Sequence, residues 1–193
     1  EREVYNKAME EFHSMRQRYF ALSGNSRKDS MMALIQQITL LLRISAAPNT
    51  VDEYNSSYTP TKILKVCNMV EEFSDEIVVI GVRHKIVVDA YADELRRRFP
   101  KRKLFVVTGS TTTLAKRRKL KSALKESGNG ILLCTQQCLP SSVNFEFINK
   151  VIIPELHYNN ARMSQFYMRF VRFNSKEDKD IYFCLLYTSP SPR

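Results

Sequence analysis

An arginine-rich segment near the end of the sequence carries the residues best suited to chemistry. Gln165-Phe-Tyr-Met-Arg169-Phe-Val-Arg172 places one amide and two guanidinium groups at fixed spacing, and Arg162 precedes them. In a helix these four residues fall at i, i+3, i+7 and i+10 and form one stripe. Planar guanidinium groups held on one face suit bidentate capture of phosphate oxygens. A solvated basic face on a packed helix has the same spacing, so the pattern alone leaves both interpretations open.

The overall charge favours a polyanionic partner. The chain has 193 residues, 44% of them hydrophobic, and a formal net charge of +10. That hydrophobic content is sufficient for a core, and the positive excess favours nucleic acid first and an acidic membrane surface second. No signal peptide and no apolar run long enough to span a bilayer is present, so we expect no membrane partner.

The cysteines and histidines are not grouped as metal ligands. Cys134 and Cys138 have no second pair, and the histidines at 13, 84 and 157 are scattered, so we expect no metal site. Cys67 and Cys134 lie in apolar runs and are expected to be small buried hydrophobes. Free cysteines of this kind favour a reducing, intracellular location.

The chain changes pattern near residue 60. Helices are predicted at 1–22 and 29–45, followed by a polar connector up to residue 60. Beyond it, strands are predicted at 77–82, 103–108, 130–134, 150–154 and 180–183, helices at 62–73, 87–99, 114–125 and 160–173, and a short element at 143–148. Short, continuously apolar strands alternating with helices predict an α/β domain at 61–183, a parallel sheet flanked by helices and preceded by a helical lead-in. Residues 184–193 are expected to be a sequencing-adapter artefact.

Ligands of such sheets bind outside the carboxyl ends of the strands. The loops predicted there contain Arg83, His84, Lys85, Ser110, Thr111, Thr112, Thr113, Thr135, Gln136, Gln137, Ser141, Ser142 and Asn144. Cations, hydroxyls and amides dominate, with Glu155 as the main carboxylate. This composition fits phosphate or a nucleic-acid backbone better than a metal or an acid–base pair.

Taken in chain order, several segments of this sequence resemble the second RecA-like lobe of a superfamily 2 helicase, and more closely that of the Swi/Snf class of DNA-dependent ATPases. The resemblance covers roughly residues 28–183, and its most specific part is Gln165-x3-Arg169-x2-Arg172, which matches motif VI. The remaining matches are Met32–Arg43 with Pro48, Thr61-Lys62-x-Leu64, Glu76–Arg83 (motif IV), Thr108-Gly109-Ser110-Thr111, and Gly130–Thr135 with Asn144 (motif V).

The resemblance implies a role for each of these residues. Arg169 and Arg172 would face ATP, the second as an arginine finger, and Gln165 would position the nucleotide or that arginine. Arg83, Gly109, Ser110 and Thr111 would line a groove that grips a DNA backbone, and Thr135 and Asn144 would join DNA contacts to the ATP state. The implied cofactors are ATP and Mg²⁺, bound mainly by an N-terminal RecA-like lobe of the same full-length protein. The implied nucleic acid is duplex DNA.

The sequence departs from the family pattern in three places. Cys138-Leu-Pro140-Ser-Ser142 replaces a glycine-rich loop, and Pro140 has no N–H to offer a phosphate. Tyr158-Asn159-Asn160 stands for Trp-Asn-Pro, and Asn174-Ser175 for Gly-Gln. These departures indicate a divergent branch, for which a phage or viral source is one explanation.

The phosphate-binding boxes of a first lobe are absent from this sequence. No glycine precedes a lysine, and the Asp-Glu pairs at 52–53, 75–76 and 93–94 lack the context of an Asp-Glu-x-His box. We therefore expect this chain alone not to hydrolyse ATP. It is predicted to be the C-terminal motor lobe of an ATP-dependent translocase or helicase, or alternatively a non-catalytic nucleic-acid-binding module. An unrelated α/β nucleotide-binding enzyme is disfavoured, because no glycine-rich loop follows the first strand.

Two further features leave alternatives open. The basic run Lys116-Arg117-Arg118-Lys119-x-Lys121 can grip nucleic acid or be a solvated helix face. Ser110 and Thr111 can contact a DNA backbone or cap the helix that begins near Leu114.

Overall fold

The computed structural model describes residues 1–109, 113–139, 144–157, 159–171 and 177–184, without the side chains of Leu114 and Arg117. Contacts divide the chain into two compact units, Glu1–Pro60 and Thr61–Arg193. The roles that the sequence assigned to these two units, a helical lead-in and a helicase C-terminal lobe, stay predictions.

The first unit is a helical pair. Helix α1 (Arg2–Ala21) packs against α2 (Gly24–Ala46), and a short 3₁₀ helix follows at Pro48–Thr50. Buried Gln37 joins the helices, since its Nε2 donates to the Ala8 carbonyl at 2.9 Å. The second helix begins earlier than residue 29, because Gly24 adopts a φ of 63° that a glycine tolerates.

The second unit is an α/β domain with an all-parallel sheet. Its helices are α3 (Thr61–Glu72), α4 (Lys85–Arg98), α5 (Leu114–Ser127) and α6 (Asn160–Tyr167), and its strands are β1 (Val78–Val82), β2 (Leu104–Val107), β3 (Ile131–Thr135), β4 (Lys150–Ile153) and β5 (Asp180–Phe183). The strand order is β2-β3-β1-β4-β5, and every neighbouring pair is parallel. The predicted parallel α/β fold is confirmed.

Successive side chains of each strand point to opposite faces of this sheet. Val79, Leu132 and Val151 belong to a core that includes Leu124 of α5 and Phe166 of α6. On the other face, α4 packs against α3 and against β1, β2 and β3. Helix α6 lies so close to β1 that only glycine fits at position 81. A Cβ built on Gly81 would lie 2.6 Å from Phe166 Cε1.

Two predicted elements differ from the structure. The helix predicted to reach residue 173 ends at Tyr167, and Met168–Phe170 form a turn. The Arg169 carbonyl accepts a hydrogen bond from the Phe145 N–H at 3.2 Å. The element predicted at 143–148 is a turn at Glu146–Phe147 in its described part, with Phe145 and Ile148 buried on either side. In both places a tertiary contact overrides the local pattern.

The amino edge of the sheet is closed by two basic side chains. The Arg102 guanidinium donates to the carbonyls of Asn129 at 2.8 Å, Val70 at 2.7 Å and Glu76 at 2.9 Å. Lys150 pairs with Asp180 at 2.6 Å and with Glu76 at 3.6 Å. Each of these contacts joins segments that precede different strands.

Candidate nucleotide and nucleic-acid site

An open pocket of about 260 Å³ lies at the carboxyl edge of the sheet. It is lined by Gln136, Gln137, Leu139, His157, Arg162, Gln165, Phe166 and Arg169. The structure thus brings together the Gln165 and Arg169 predicted from the sequence, with Arg162 beside them. None of the described residues that line the pocket is acidic. Arg172, the second predicted arginine, lies outside the described residues.

Helix α6 positions the pocket's polar side chains. It starts at an Asn159 cap, whose Oδ1 accepts the Arg162 N–H at 3.3 Å. Arg162 and Gln165 are exposed on this helix, whereas half-buried Arg169 follows it in the turn. The helix thus ends at Tyr167, before Arg169, yet Arg169 still reaches the same pocket.

Gln136 joins the carboxyl ends of three strands beneath this pocket. Its N–H donates to the Val82 carbonyl at 2.8 Å. Its side-chain Nε2 donates to the carbonyls of Gly81 at 3.1 Å and Glu155 at 2.7 Å. The residue is 8% exposed, and its Oε1 has no partner among the described residues. One buried amide thus holds β1, β3 and β4 in register where their loops begin.

Glu155 follows β4 and is 3% exposed. One carboxylate oxygen accepts the backbone N–H of Arg83, which ties the β1–α4 loop to the end of β4. Nearby, Lys62 donates to the Pro154 carbonyl at 2.8 Å. Burial raises the pKa of Glu155 to about 7, against the opposing effects of the Arg83 hydrogen bond and of the charges of Arg83 and Lys62. Near neutral pH this carboxyl group is therefore only partly ionised.

His157 is a neutral donor at the pocket wall. Its Nδ1 accepts the Asn159 N–H at 2.9 Å, so the proton of the neutral ring is on Nε2. Burial and the positive charges of Arg83 and Arg162 lower the pKa of His157. The ring is therefore neutral and adds no further positive charge to a pocket that already contains two arginines.

The residues predicted to bind nucleic acid are distributed around this edge. Arg83 is half-buried after β1, Gly109 is exposed after β2, and Asn144 is exposed beside the Phe145 N–H that binds the Arg169 carbonyl. Thr135 is 6% exposed, and its hydroxyl has no partner within the described part of the chain. Ser110 and Thr111 lie outside the described residues, so neither their backbone contacts nor their capping is tested.

The buried roles of two polar residues, Glu155 and Lys62, were not predicted from the sequence. The position of Glu155 directly after an apolar strand was the available signal for a buried carboxylate at the carboxyl edge. Lys62 belongs to a segment that resembles the family, but its burial had no signal, because a lysine at a helix start is usually exposed; only the fold shows that it is 7% exposed.

Within the described ranges, no group of three His, Cys, Asp or Glu side chains could hold a metal ion, and no helix is long and apolar enough to cross a bilayer. Cys67 and Cys134 are fully buried, as their apolar sequence context predicted.

Several solved structures share this architecture. The Sulfolobus solfataricus SWI2/SNF2 ATPase core in complex with double-stranded DNA matches with a TM-score of 0.69 and 14% identity, over 94% of this chain and 37% of that one. The C-terminal part of the Fun30 ATPase domain matches at 0.56 and 18% identity, over 85% and 55%. Domain 2 of the Mss116p DEAD-box helicase, bound to an RNA duplex, matches at 0.51 and 20% identity, over 63% and 47%.

At these identities the likeness shows the fold alone. It confirms a RecA-like domain with a helical N-terminal start, similar to the C-terminal lobes of Swi/Snf-class ATPases. The chain spans about half or less of the length of these three structures. No family model matches the sequence, and no curated protein does either.

Proposed function

We propose that this chain is the C-terminal motor lobe of an ATP-dependent nucleic-acid translocase or helicase. Arg169 and Arg172 face the phosphates of ATP, and Arg172 serves as the arginine finger. The observation that carries the proposal is the convergence of Arg162, Gln165 and Arg169 on one pocket at the carboxyl edge of a RecA-like sheet. The structural neighbours that are helicase or SWI2/SNF2 lobes support the same assignment.

The electrostatics of the pocket favour phosphate. Two guanidinium forks, an amide and a neutral imidazole supply donors, and the described lining residues contribute no carboxylate that would compete. Glu155 lies nearby, but its carboxyl group is directed at the Arg83 N–H and is partly protonated near neutral pH. Half-burial of Arg169 weakens the solvent screening of its charge.

The donor set fits ATP better than its metal. Arginine and glutamine side chains suit phosphate oxygens, whereas Mg²⁺ prefers carboxylates, which the described pocket residues lack. We therefore assign Mg²⁺ and most nucleotide contacts to an N-terminal lobe of the full-length protein. Bound ATP supplies the phosphoryl transfer that drives movement.

The nucleic-acid surface is proposed at the same edge. Gly109 and Asn144 are exposed there and Arg83 is half-buried, and we propose that all three contact the backbone of duplex DNA together with Ser110 and Thr111. Thr135 is buried, so its proposed part is to hold the loop that leads to Asn144. The double-stranded DNA in the Sulfolobus structure and the RNA duplex in the Mss116p structure support a nucleic-acid partner.

A non-catalytic nucleic-acid-binding module is the second candidate. It is favoured by the lack of any Gly-Lys pair in this sequence. It predicts salt-sensitive DNA binding that does not change when ATP is added.

The deciding experiment uses this lobe joined to the N-terminal lobe encoded upstream. If the coding sequence upstream of Glu1 contains Gly-Lys-Ser/Thr and Asp-Glu-x-His boxes, DNA-stimulated ATP hydrolysis is measured for Arg169→Ala, Arg169→Lys and Arg172→Ala. We expect losses of about 10³-fold or more with DNA affinity retained. Lysine should not restore activity, because it lacks the planar fork. Arg96→Ala, on the exposed face of α4, is the matched control. Full turnover in both alanine variants would exclude the proposed role.

A further inference from the structure

We infer that the outward face of α5 is a second nucleic-acid contact, separate from the pocket and its loops. This cationic face consists of Arg118, Lys119 and Lys125, all of them exposed. Its proposed ligand is a phosphodiester backbone, bound without regard to base sequence. The inference rests on the nucleic-acid partner of the proposed function.

The geometry of α5 separates a basic side from an apolar side. Arg118, Ser122 and Lys125 are spaced i, i+4 and i+7, so they follow one exposed line along the helix. Leu120 and Leu124 turn the other way and pack into the sheet core. The basic residues therefore lie together on the solvent side.

The charges of this face are neutralised by acids only in part, by exposed Glu126 on the same helix and by Glu146, whose charge acts on Lys125. Helix α5 contains one acidic residue, Glu126, and among the described residues its basic side chains make one ion pair, Lys121 to Glu146 at 3.3 Å. Helix α4 is the contrasting case. There Arg96 pairs with Asp93 at 3.3 Å, and Arg97 and Arg98 pair with Glu94 and Glu71.

Helix stability explains the α5 sequence only in part, since the helix dipole favours Lys125 in the last turn. Lys116 lies in a first turn that contains no acid, where the helix dipole disfavours positive charge. Lys116 and Lys119 at i, i+3 and Lys121 and Lys125 at i, i+4 repel one another. A polyanion bound along the helix would attract these lysines and neutralise the repulsion among them.

The same face fits nucleic acid better than a membrane. A helix that binds a bilayer surface inserts a large apolar side between lipids. The apolar side of α5 is already buried in the core, and Ala115 and Ser122 are the uncharged residues among its exposed cations. Contact would therefore be electrostatic, as in phosphate binding by lysine and arginine. Helix α5 also starts soon after Gly109, which is proposed to touch the backbone.

The test compares two variants of the 193-residue chain with equal charge. Arg118→Gln/Lys119→Gln/Lys125→Gln alters the α5 face, and Lys7→Gln/Arg96→Gln/Lys101→Gln alters exposed cations elsewhere, so that each lowers the formal net charge from +10 to +7. Binding to a mixed-sequence DNA duplex is measured by fluorescence anisotropy over a range of NaCl concentrations, after circular dichroism has shown that both variants are folded.

For the α5 variant we expect the negative slope of log affinity against log salt to become shallower by about 2 to 3, because each lost phosphate contact removes about 0.9 from its magnitude. The control variant should retain the wild-type slope. Equal losses in both variants would overturn the inference in favour of net charge, as would wild-type binding by the α5 variant. Binding of the wild type to phosphatidylserine vesicles but not to DNA would overturn it in favour of a membrane.

These outcomes are distinguishable from failure of the proposed motor function. An α5 variant that binds DNA normally, together with inactive Arg169→Ala, removes the α5 contact and leaves the motor lobe. A weakened α5 variant, together with active Arg169→Ala, supports the α5 contact and removes the arginine role.

Discussion

The two edges of the parallel sheet differ in how fully their polar groups are hydrogen-bonded. At the amino edge, the Arg102 guanidinium donates to three backbone carbonyls, and Lys150 pairs with two acids. At the carboxyl edge, three buried oxygens have no partner in the described structure: Thr135 Oγ1, Gln136 Oε1 and Glu155 Oε1. Buried polar atoms are normally hydrogen-bonded, so their concentration at one edge requires a reason.

We interpret this difference as a division of roles, in which the amino edge stabilises the fold and the carboxyl edge carries the proposed function. Closure of the amino edge by Arg102 satisfies backbone carbonyls that belong to three different segments. At the carboxyl edge, Gln136 and Glu155 hold the loops, but retain acceptors that nothing described satisfies. An edge that must bind and release ligands is expected to give up some stability in this way.

The largest effect is expected from opening the amino edge. Arg102→Leu leaves the carbonyls of Val70, Glu76 and Asn129 without their charged donor. We expect a loss of about 4 kcal/mol in the free energy of unfolding. Urea denaturation measures it, with exposed Lys101→Gln as the control. A loss below about 1 kcal/mol would show that Arg102 does not close this edge.

Glu155→Gln tests whether ionisation of a buried carboxyl group destabilises the carboxyl edge. The folded pKa of about 7 lies above the ordinary 4.5, so the folded state binds more protons between these pH values. The free energy of unfolding therefore falls as pH rises through this window, by up to about 3 kcal/mol. Glutamine, which does not titrate, should abolish this contribution. Urea unfolding at pH 5 and pH 8 measures it, with Glu72→Gln as the exposed control. An unchanged pH dependence in Glu155→Gln would contradict the assignment.

Gly81→Ala tests how α6 is seated on β1. The added methyl group would meet the Phe166 ring, and we expect destabilisation of about 2 kcal/mol. The smaller side chain in Gly81→Ala/Phe166→Leu should recover part of that loss. A double-mutant cycle in urea measures the coupling. Simple additivity of the two substitutions would show that the ring moves aside freely.

The smallest effect is expected from an ion pair at neither edge. Arg96 and Asp93 form an exposed pair on α4, with side chains 59% and 82% exposed. Arg96→Gln should change the free energy of unfolding by less than about 0.5 kcal/mol. A larger change, measured in the same urea experiments, would mean that surface pairs rival the buried edges and that the contrast between edges is overstated.

Much of the fold followed from local patterns. Apolar runs predicted the five strands to within a residue at each end, because strands covered on both faces must be continuously apolar. The end of α6 was missed, since a hydrogen bond from Phe145 to Arg169 has no signature in periodicity. The start of α2 at Gly24 rather than residue 29 was also missed, because a glycine is a weak helix former and gives little signal that a helix begins there.

The sequence by itself determined which chemical groups this protein can present and in what order. The spacing of Gln165 and Arg169 and the basic run of α5 are properties of the chain, and by themselves they fitted either a phosphate-binding surface or solvated basic faces. Only the tertiary structure decided that Arg162, Gln165 and Arg169 share one pocket, and that Gln136 and Glu155 hold its floor. Those contacts join residues far apart in sequence, and their strength depends on burial, which arises only when the strands assemble into a sheet.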